Sequence, residues 1–347
     1  MAESFPYEEA NTSRWPQSAL ISSRIPGLNN VFFKYENGPL TGSFKDRIMR
    51  LAVANARLTQ AKGVVVPSSG NAALAAAAAG AGAGLPVYAV VPKGTAPERI
   101  TPVAARGAVI IEAGNDPSEA YRAADIIAAE FNLYRLYSTF AAPVAEWACR
   151  PIGIEASRQL GAGINTVVAP ISAGPVLVGT GHGVAQQTGK LPALVAVQAQ
   201  GCCPIVQAFD EHRTEVTPWT TSVDTSAVAI ADRLNGYPQD GTYTLRLLRE
   251  SGGLAAAVSD DEMMAARQAL LQFDGIDVEL SSAAGVAWLM RAQLRTSEPV
   301  LCILTASGFK HTYRGDISRA EITPERQDMA KHICEFVSQH AIRARLV

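Results

Sequence analysis

From residue 63 onward the chain alternates between short apolar runs and longer segments with helical spacing. GVVVPSS (63–69) is a β-branched run, and an Ala-rich stretch from Asn71 reads as a helix. LPVYAVVP (85–92) is followed by a helix opening at Pro97, a first-turn position where the missing N–H costs nothing. GAVIIEAG (107–114) precedes a helix from Pro117 to Glu130, and LYRLYST (133–139) one that runs to Leu160. NTVVAPIS (165–172) leads into a helix ending near Gln187, then ALVAVQAQ (193–200); PVLCILTASG (299–308) is a late strand. Apolar runs too short for helices, separated by helical segments, predict βα units and a parallel sheet covered on both faces.

Other segments carry their own boundaries. VSDDEMMAARQALLQFDG (258–275) predicts a helix capped by Ser259 or Asp260 and stopped at Gly275. ITPERQDMAKHICEFVSQH (322–340) predicts a terminal helix with Thr323 as cap. KDRIMRLAVANARLTQAKG (45–63) predicts a helix with an apolar face at Ile48, Leu51, Ala52 and Leu58, interrupted by Asn55. Asp46 and Arg47 read there as solvated charges. Residues 205–250 are polar and give no period, so they read as an open, mobile segment near the site.

Composition narrows the classes. With 48% hydrophobic residues in 347, a large core is affordable in one or two domains. A net charge of −2 with no basic stripe argues against nucleic acid. No apolar run is long enough to span a membrane. The acidic start, MAESFPYEEANTSRW, lacks a signal-peptide core. The five cysteines form no C-x-x-C pair, which fits reduced thiols in a cytoplasm, with Cys202 and Cys203 as packing residues.

Ligands of open α/β sheets bind beyond the carboxyl ends of the strands. Three loops there carry small polar residues: PSSGNAA (67–73), SAGPVLVG (172–179) and TASGFKH (305–311). The first two open helices, where free N–H groups suit a carboxylate or phosphate. Ser69 or Asn71 would equally serve as a plain helix cap. Lys45 is the odd residue. A cation at a helix start opposes the dipole, and that field, with burial beside Phe44, would lower its pKa and make the amine nucleophilic.

NGPLTGSFKDR (37–47) resembles the lysine segment of the fold-type II pyridoxal-phosphate enzymes, the tryptophan synthase beta superfamily. PSSGNAA resembles their asparagine loop. STFAAPVAEW, VAVQAQGCCPIV, LLRESGGLAAAVSDDEM, GIDVELSSAAGVAWL and LTASGFKH are similar to threonine synthase, in order, from about residue 30 to 312. The resemblance implies two doubly wound parallel-sheet domains, 48–145 and 1–47 plus 146–347, with pyridoxal 5'-phosphate in the cleft between them. It implies Lys45 as the Schiff-base lysine and acid–base group, with Phe44 beside it. Asn71 would meet the ring hydroxyl, Ser172, Ala173, Gly174 and Val176 the cofactor phosphate, and Thr305 the ring nitrogen. Ser68, Ser69, Gly70 and Ala72 would hold the substrate carboxylate, with Thr139 near the substrate. It also implies an amino-acid substrate, a homodimer and no metal.

The sequence departs from threonine synthase where a second phosphate is gripped. Val144 stands where the family has an arginine, Trp147 replaces a glycine and Cys149 a lysine, while Glu146 remains. SAGPV replaces an Asn- and Gly-rich loop, and Pro175 donates no N–H. The expected activity is therefore β- or γ-elimination or replacement on a different activated amino acid. Three alternatives stay open. One is a threonine synthase whose grip is rebuilt from Arg150, Lys34 or Ser69. The second is a β-replacement synthase with cysteine-, cysteate- or diaminopropionate-like products. The third is a non-catalytic cofactor-binding partner. His182 reads as a surface or interface residue, and Asp232 and Arg233 receive no role.

Overall fold

The computed structural model describes residues 16–310, apart from 116, 162, 295 and 296. These residues belong to one compact unit, Met1–Lys310. The terminal helix expected at 322–340, His311 and Cys334 lie outside them.

Two sheets organise the chain. Six strands form the larger, in the order β1 (Ala19–Ser22), β2 (Val31–Tyr35), β10 (Val300–Leu304), β7 (Thr166–Pro170), β8 (Ala193–Ala199) and β9 (Leu254–Val258). Four form the smaller, in the order β5 (Val109–Glu112), β4 (Val87–Val91), β3 (Val64–Pro67) and β6 (Tyr134–Arg135). β1 runs antiparallel to β2, and the other named strands pair in parallel. The helices are α1 (Lys45–Leu58), α2 (Asn71–Ala83), α3 (Pro97–Ala104), α4 (Pro117–Phe131), α5 (Val144–Trp147), α6 (Arg150–Leu160), α7 (Pro175–Thr188), α8 (Pro204–Asp210), α9 (Pro238–Glu250), α10 (Asp260–Ala269) and α11 (Ala284–Ala292). The expected α/β class with parallel sheets is what the chain adopts.

Small residues set the closest contacts. A Cβ on Gly153 would lie 2.1 Å from the Thr180 carbonyl, and one on Gly183 would lie 2.0 Å from that of Arg150. Helices α6 and α7 therefore touch backbone to backbone, which fixes the start of α7. Gly80 does the same for α2, where a Cβ would meet Val87 of β4 at 2.2 Å.

Three expectations change. Ile48, Leu51 and Ala52 are buried as expected, but Leu58 is 63% exposed, and Met49, Val53 and Ala56 complete the buried face of α1. Asn55 does not simply break that face, because its Nδ2 donates to Tyr134 Oη at 2.6 Å. Segment 205–250 contains α8 and α9, whose buried Leu245 and Leu248 lie three apart among polar residues. A helix with so few apolar positions is held by tertiary packing rather than by its own pattern. The cap at Ser259 is a full capping box with Glu262, and α10 unwinds through a π-turn at Leu270–Asp274 into Gly275.

Candidate active site

The turn before Lys45 is built by its neighbours. Gly38 has φ +28°, and a Cβ there would lie 2.4 Å from Asp46 Oδ2. That carboxylate accepts the N–H groups of Leu40 (3.0 Å) and Thr41 (2.8 Å). Arg47 bonds Glu36 at 2.7 Å and Glu155 at 2.8 Å, and Lys34 meets Glu155 at 2.9 Å. Asp46 and Arg47 are thus buried clamps on the turn, not solvated charges. Their polar demands are met inside the protein, which is the condition for burying charge.

Lys45 Nζ lies 4.5 Å from the centroid of the Phe44 ring. Burial pushes its pKa down to about 8, against the opposing pull of the Asp232 and Glu279 charges. Cys149 is itself pushed up to about 12, again by burial, so it faces the amine as a neutral thiol.

The Lys45 turn is stitched to the end of β10. Phe44 N–H donates to the Thr305 carbonyl at 3.0 Å, and Ser43 bridges to Ala306. The hydroxyls of Thr305 and Ser282 are 2.7 Å apart, and Ala306 N–H donates to Ser282 Oγ at 2.9 Å. Ser282 N–H in turn donates to the Glu279 carbonyl. Asn71 Nδ2 donates to both carboxylate oxygens of Glu279, at 3.0 and 3.1 Å. Lys45, Asn71 and Thr305, distant in sequence, therefore converge around Glu279 and Ser282. Neither of these two was singled out in the sequence, although both lie in the quoted GIDVELSSAAG block.

Ser172–Val176 form the turn between β7 and α7. Gly174 has φ +115°, and a Cβ there would lie 2.4 Å from Thr244 Oγ1. Thr244 Oγ1 donates to the Ala173 carbonyl at 2.6 Å, and Gln198 Nε2 to that of Ser172 at 3.3 Å. Gln198 Oε1 also accepts the N–H groups of Ile205 and Val206. With these carbonyls drawn away, the first helical bond is Val178 N–H to Gly174 C=O. The N–H groups of Val176 and Leu177 then have no acceptor within the helix, and Pro175 offers none. Such a donor set fits a phosphate. Cys149 connects this loop's helix to Lys45, since a Cβ on Gly179 would lie 2.7 Å from Cys149 Cβ.

In the Ser68–Ala72 loop, Ser68 Oγ accepts Gly70 N–H at 3.1 Å, so that hydroxyl braces its own turn. Arg99 Nη2 lies 3.9 Å from the place a Gly70 Cβ would occupy. This guanidinium had no sequence signal, because only the fold brings α3 to the loop. Thr139 is buried beside Asp240. Asp232 Oδ1 accepts Tyr237 Oη–H at 3.0 Å and Leu234 N–H at 2.9 Å. His182 is not a free surface residue: its Nδ1 lies 2.7 Å from Glu146 Oε1, which also pairs with Arg150 at 2.9 Å. These partners hold the Glu146 carboxyl below its usual range against the effect of burial.

Residues 16–306 match the family model of pyridoxal-phosphate dependent enzymes. The chain is 31% identical to a threonine synthase of Methanosarcina acetivorans over 290 residues, spanning 80% of this chain and 70% of that one. It is 28% identical to a threonine synthase of Synechocystis over 336 residues, 93% of this chain and 84% of the relative. Among solved structures it superposes on a threonine deaminase of Solanum lycopersicum with TM-score 0.70 and 22% identity, covering 84% of each chain. Maize serine racemase gives TM-score 0.73 at 19% identity, covering 94% of each. The fold is that of the fold-type II enzymes, and pyridoxal 5'-phosphate is the cofactor these matches imply. The chain therefore belongs to the pyridoxal-phosphate dependent enzymes of fold type II and is threonine synthase-like.

Proposed function

We propose that this enzyme carries out elimination or replacement at the side chain of an amino acid that bears no phosphate. The supporting observation is where its spare cations have gone. Lys34 is fully buried and donates to Glu155 and to the Ser18 carbonyl. Arg150 pairs with Glu146 and stacks on the Trp147 ring, 3.7 Å from its centroid. Val144 is buried and apolar. A substrate phosphate is best gripped by a guanidinium fork, and these groups are committed elsewhere.

Bound pyridoxal phosphate supplies an electron sink for the bonds of the substrate's α-carbon. The chain does the rest. Ser172, Ala173, Gly174 and Val176 would hold the cofactor phosphate, Asn71 the ring hydroxyl and Thr305 the ring nitrogen. Thr305 is neutral and already bonded to Ser282. It does not force a proton onto that nitrogen as a carboxylate would, which favours side-chain chemistry over amino-group transfer. Lys45 is the covalent anchor and moves the proton at the substrate's α-carbon. Ser68, Ser69, Gly70 and Ala72 take the substrate carboxylate, with Arg99 adding charge, and Thr139 lies toward the side chain. On this reading residues 48–145 form one domain, the described residues before and after them form the other, the cofactor lies between the two, and the enzyme works as a cytoplasmic homodimer.

The test is turnover of O-phosphohomoserine against unphosphorylated amino acids, followed by threonine and keto-acid release. Threonine formed from O-phosphohomoserine overturns the reading. That second reading is favoured by the threonine synthase relatives and by Arg99 beside Gly70. If it holds, Arg99→Met abolishes threonine formation.

A further inference from the structure

Two carboxyl groups, one of them close to Lys45, have no place in the reading above. Asp232 lies close enough to Lys45 for each to shift the other's titration. Its Oδ1 accepts from Tyr237 Oη and from Leu234 N–H. Asp240 sits in the first turn of α9 and is 4% exposed. The Thr139 hydroxyl and the N–H groups of Phe140 and Ala141 lie against its carboxyl and partly offset its burial, and its charge is felt by Asp232 and Tyr121. Its Oδ2 is buried with no hydrogen-bond partner.

Aromatic rings wall the same space. Tyr121 of α4 stacks on Tyr237 (centroids 5.4 Å apart) and on Tyr137 (5.7 Å), and these half-buried rings lie beside the carboxyls. Neither carboxyl makes a close ion pair among the described residues; Lys45 is the cation whose charge reaches Asp232. Burial holds both in a raised pKa range, the condition of a carboxyl lacking a counter-charge. A buried carboxyl with an empty acceptor is costly, and an ammonium ligand removes that cost.

We propose that Asp232 and Asp240, walled by Tyr121 and Tyr237, form the side-chain subsite of the substrate and select an amino acid whose side chain carries a protonated amine. This rests on the proposal that the substrate bears no phosphate. It places charge consistently: the substrate carboxylate lies at the Gly70 loop near Arg99, and the side-chain ammonium lies at the two aspartates. For β-elimination from such a substrate, the α-proton passes to Lys45 and the side-chain ammonium leaves as ammonia with the electrons of its carbon–nitrogen bond; the unsaturated amino acid released tautomerises to an imino acid, which water hydrolyses to a keto acid and a second ammonia.

The test is a visible-absorbance titration of the cofactor-loaded enzyme. The probes are 2,3-diaminopropionate, 2,4-diaminobutyrate, serine, threonine, O-phosphoserine and O-phosphohomoserine. The expected result is that a diamino acid perturbs the spectrum at about tenfold or more lower concentration than its neutral counterpart, the scale of one charged hydrogen bond. Asp232→Asn and Asp240→Asn each collapse that ratio while the cofactor absorbance persists, which reports a folded, loaded protein. If serine or threonine binds as well as the diamino acids, or the ratio survives both substitutions, the subsite is wrong while the unphosphorylated-substrate reading stands. If a phosphorylated amino acid binds tightest, both readings fall.

Discussion

Lys45 illustrates how a single residue is tuned by its surroundings. Its amine is pushed down to about 8, chiefly by burial. The neutral amine is the attacking form, so covalent loading of cofactor-free protein should accelerate as pH rises through about 8. Absorbance after mixing with pyridoxal phosphate measures this, and a rate indifferent to pH across that range contradicts it. Lys45→Ala should bind cofactor without the covalent absorbance band. The Glu279 charge pulls the other way, raising the Lys45 pKa. Glu279→Gln should therefore move the loading midpoint below that of the wild type. Lys45 stood out in the sequence because a lysine opening a helix behind Gly-Ser-Phe opposes the dipole. Glu279 did not, since a single acid in an apolar block looks like any surface charge until the fold sets it against Asn71.

At the scale of elements, turns are held by buried polar groups. Glu36, at 2% exposure, and Glu155 compensate Arg47 on the turn that presents Lys45. Glu36→Gln leaves that guanidinium short of charge and should cost about 3–5 kcal/mol in urea unfolding. Against burial, Arg47 and Lys34 hold Glu155 below the usual carboxylate range. Its stabilising contribution is thus present above the unfolded pKa of about 4.3 and is lost as pH falls through the lower folded value. Acid titration of Glu155→Gln should show a shallower loss of stability than the wild type. Gly174 serves the phosphate loop in another way. Gly174→Ala meets both φ +115° and the Thr244 side chain. Strain of about 1–3 kcal/mol should appear as weaker cofactor retention on dialysis. The βα rhythm made these elements readable where apolar runs were long. Helix α9 escaped because half of its buried positions, Asp240, Gly241 and Thr244, are polar or glycine; β1 and β2 precede the rhythm that starts at residue 63, and β9, LAAAV, is alanine-rich rather than β-branched.

For the whole molecule, the tyrosine stack joins the layer around the smaller sheet to the segment between β8 and β9. Tyr121 belongs to α4, whose Ala120, Ala124 and Ala128 pack with Val65 and Val90 of the smaller sheet, while Tyr237 precedes α9. Tyr121→Ala should raise amide exchange both in α4 and around residues 232–237, whereas loss of a merely local contact would loosen one side alone. The α/β class and the parallel strands were legible in the sequence, as were the helix-opening loops and the lysine to which the proposed chemistry is assigned. These follow from periodicity, Gly and Pro punctuation and local motifs, all of which act over a few residues. Which side chains meet is set by the fold alone: Asn71 with Glu279, Thr305 with Ser282, Arg99 with the Gly70 loop, and Asp232 and Asp240 with the tyrosines. Charge pairing and burial depend on distance in space, and between residues as far apart in the chain as 71 and 279 no local pattern records it.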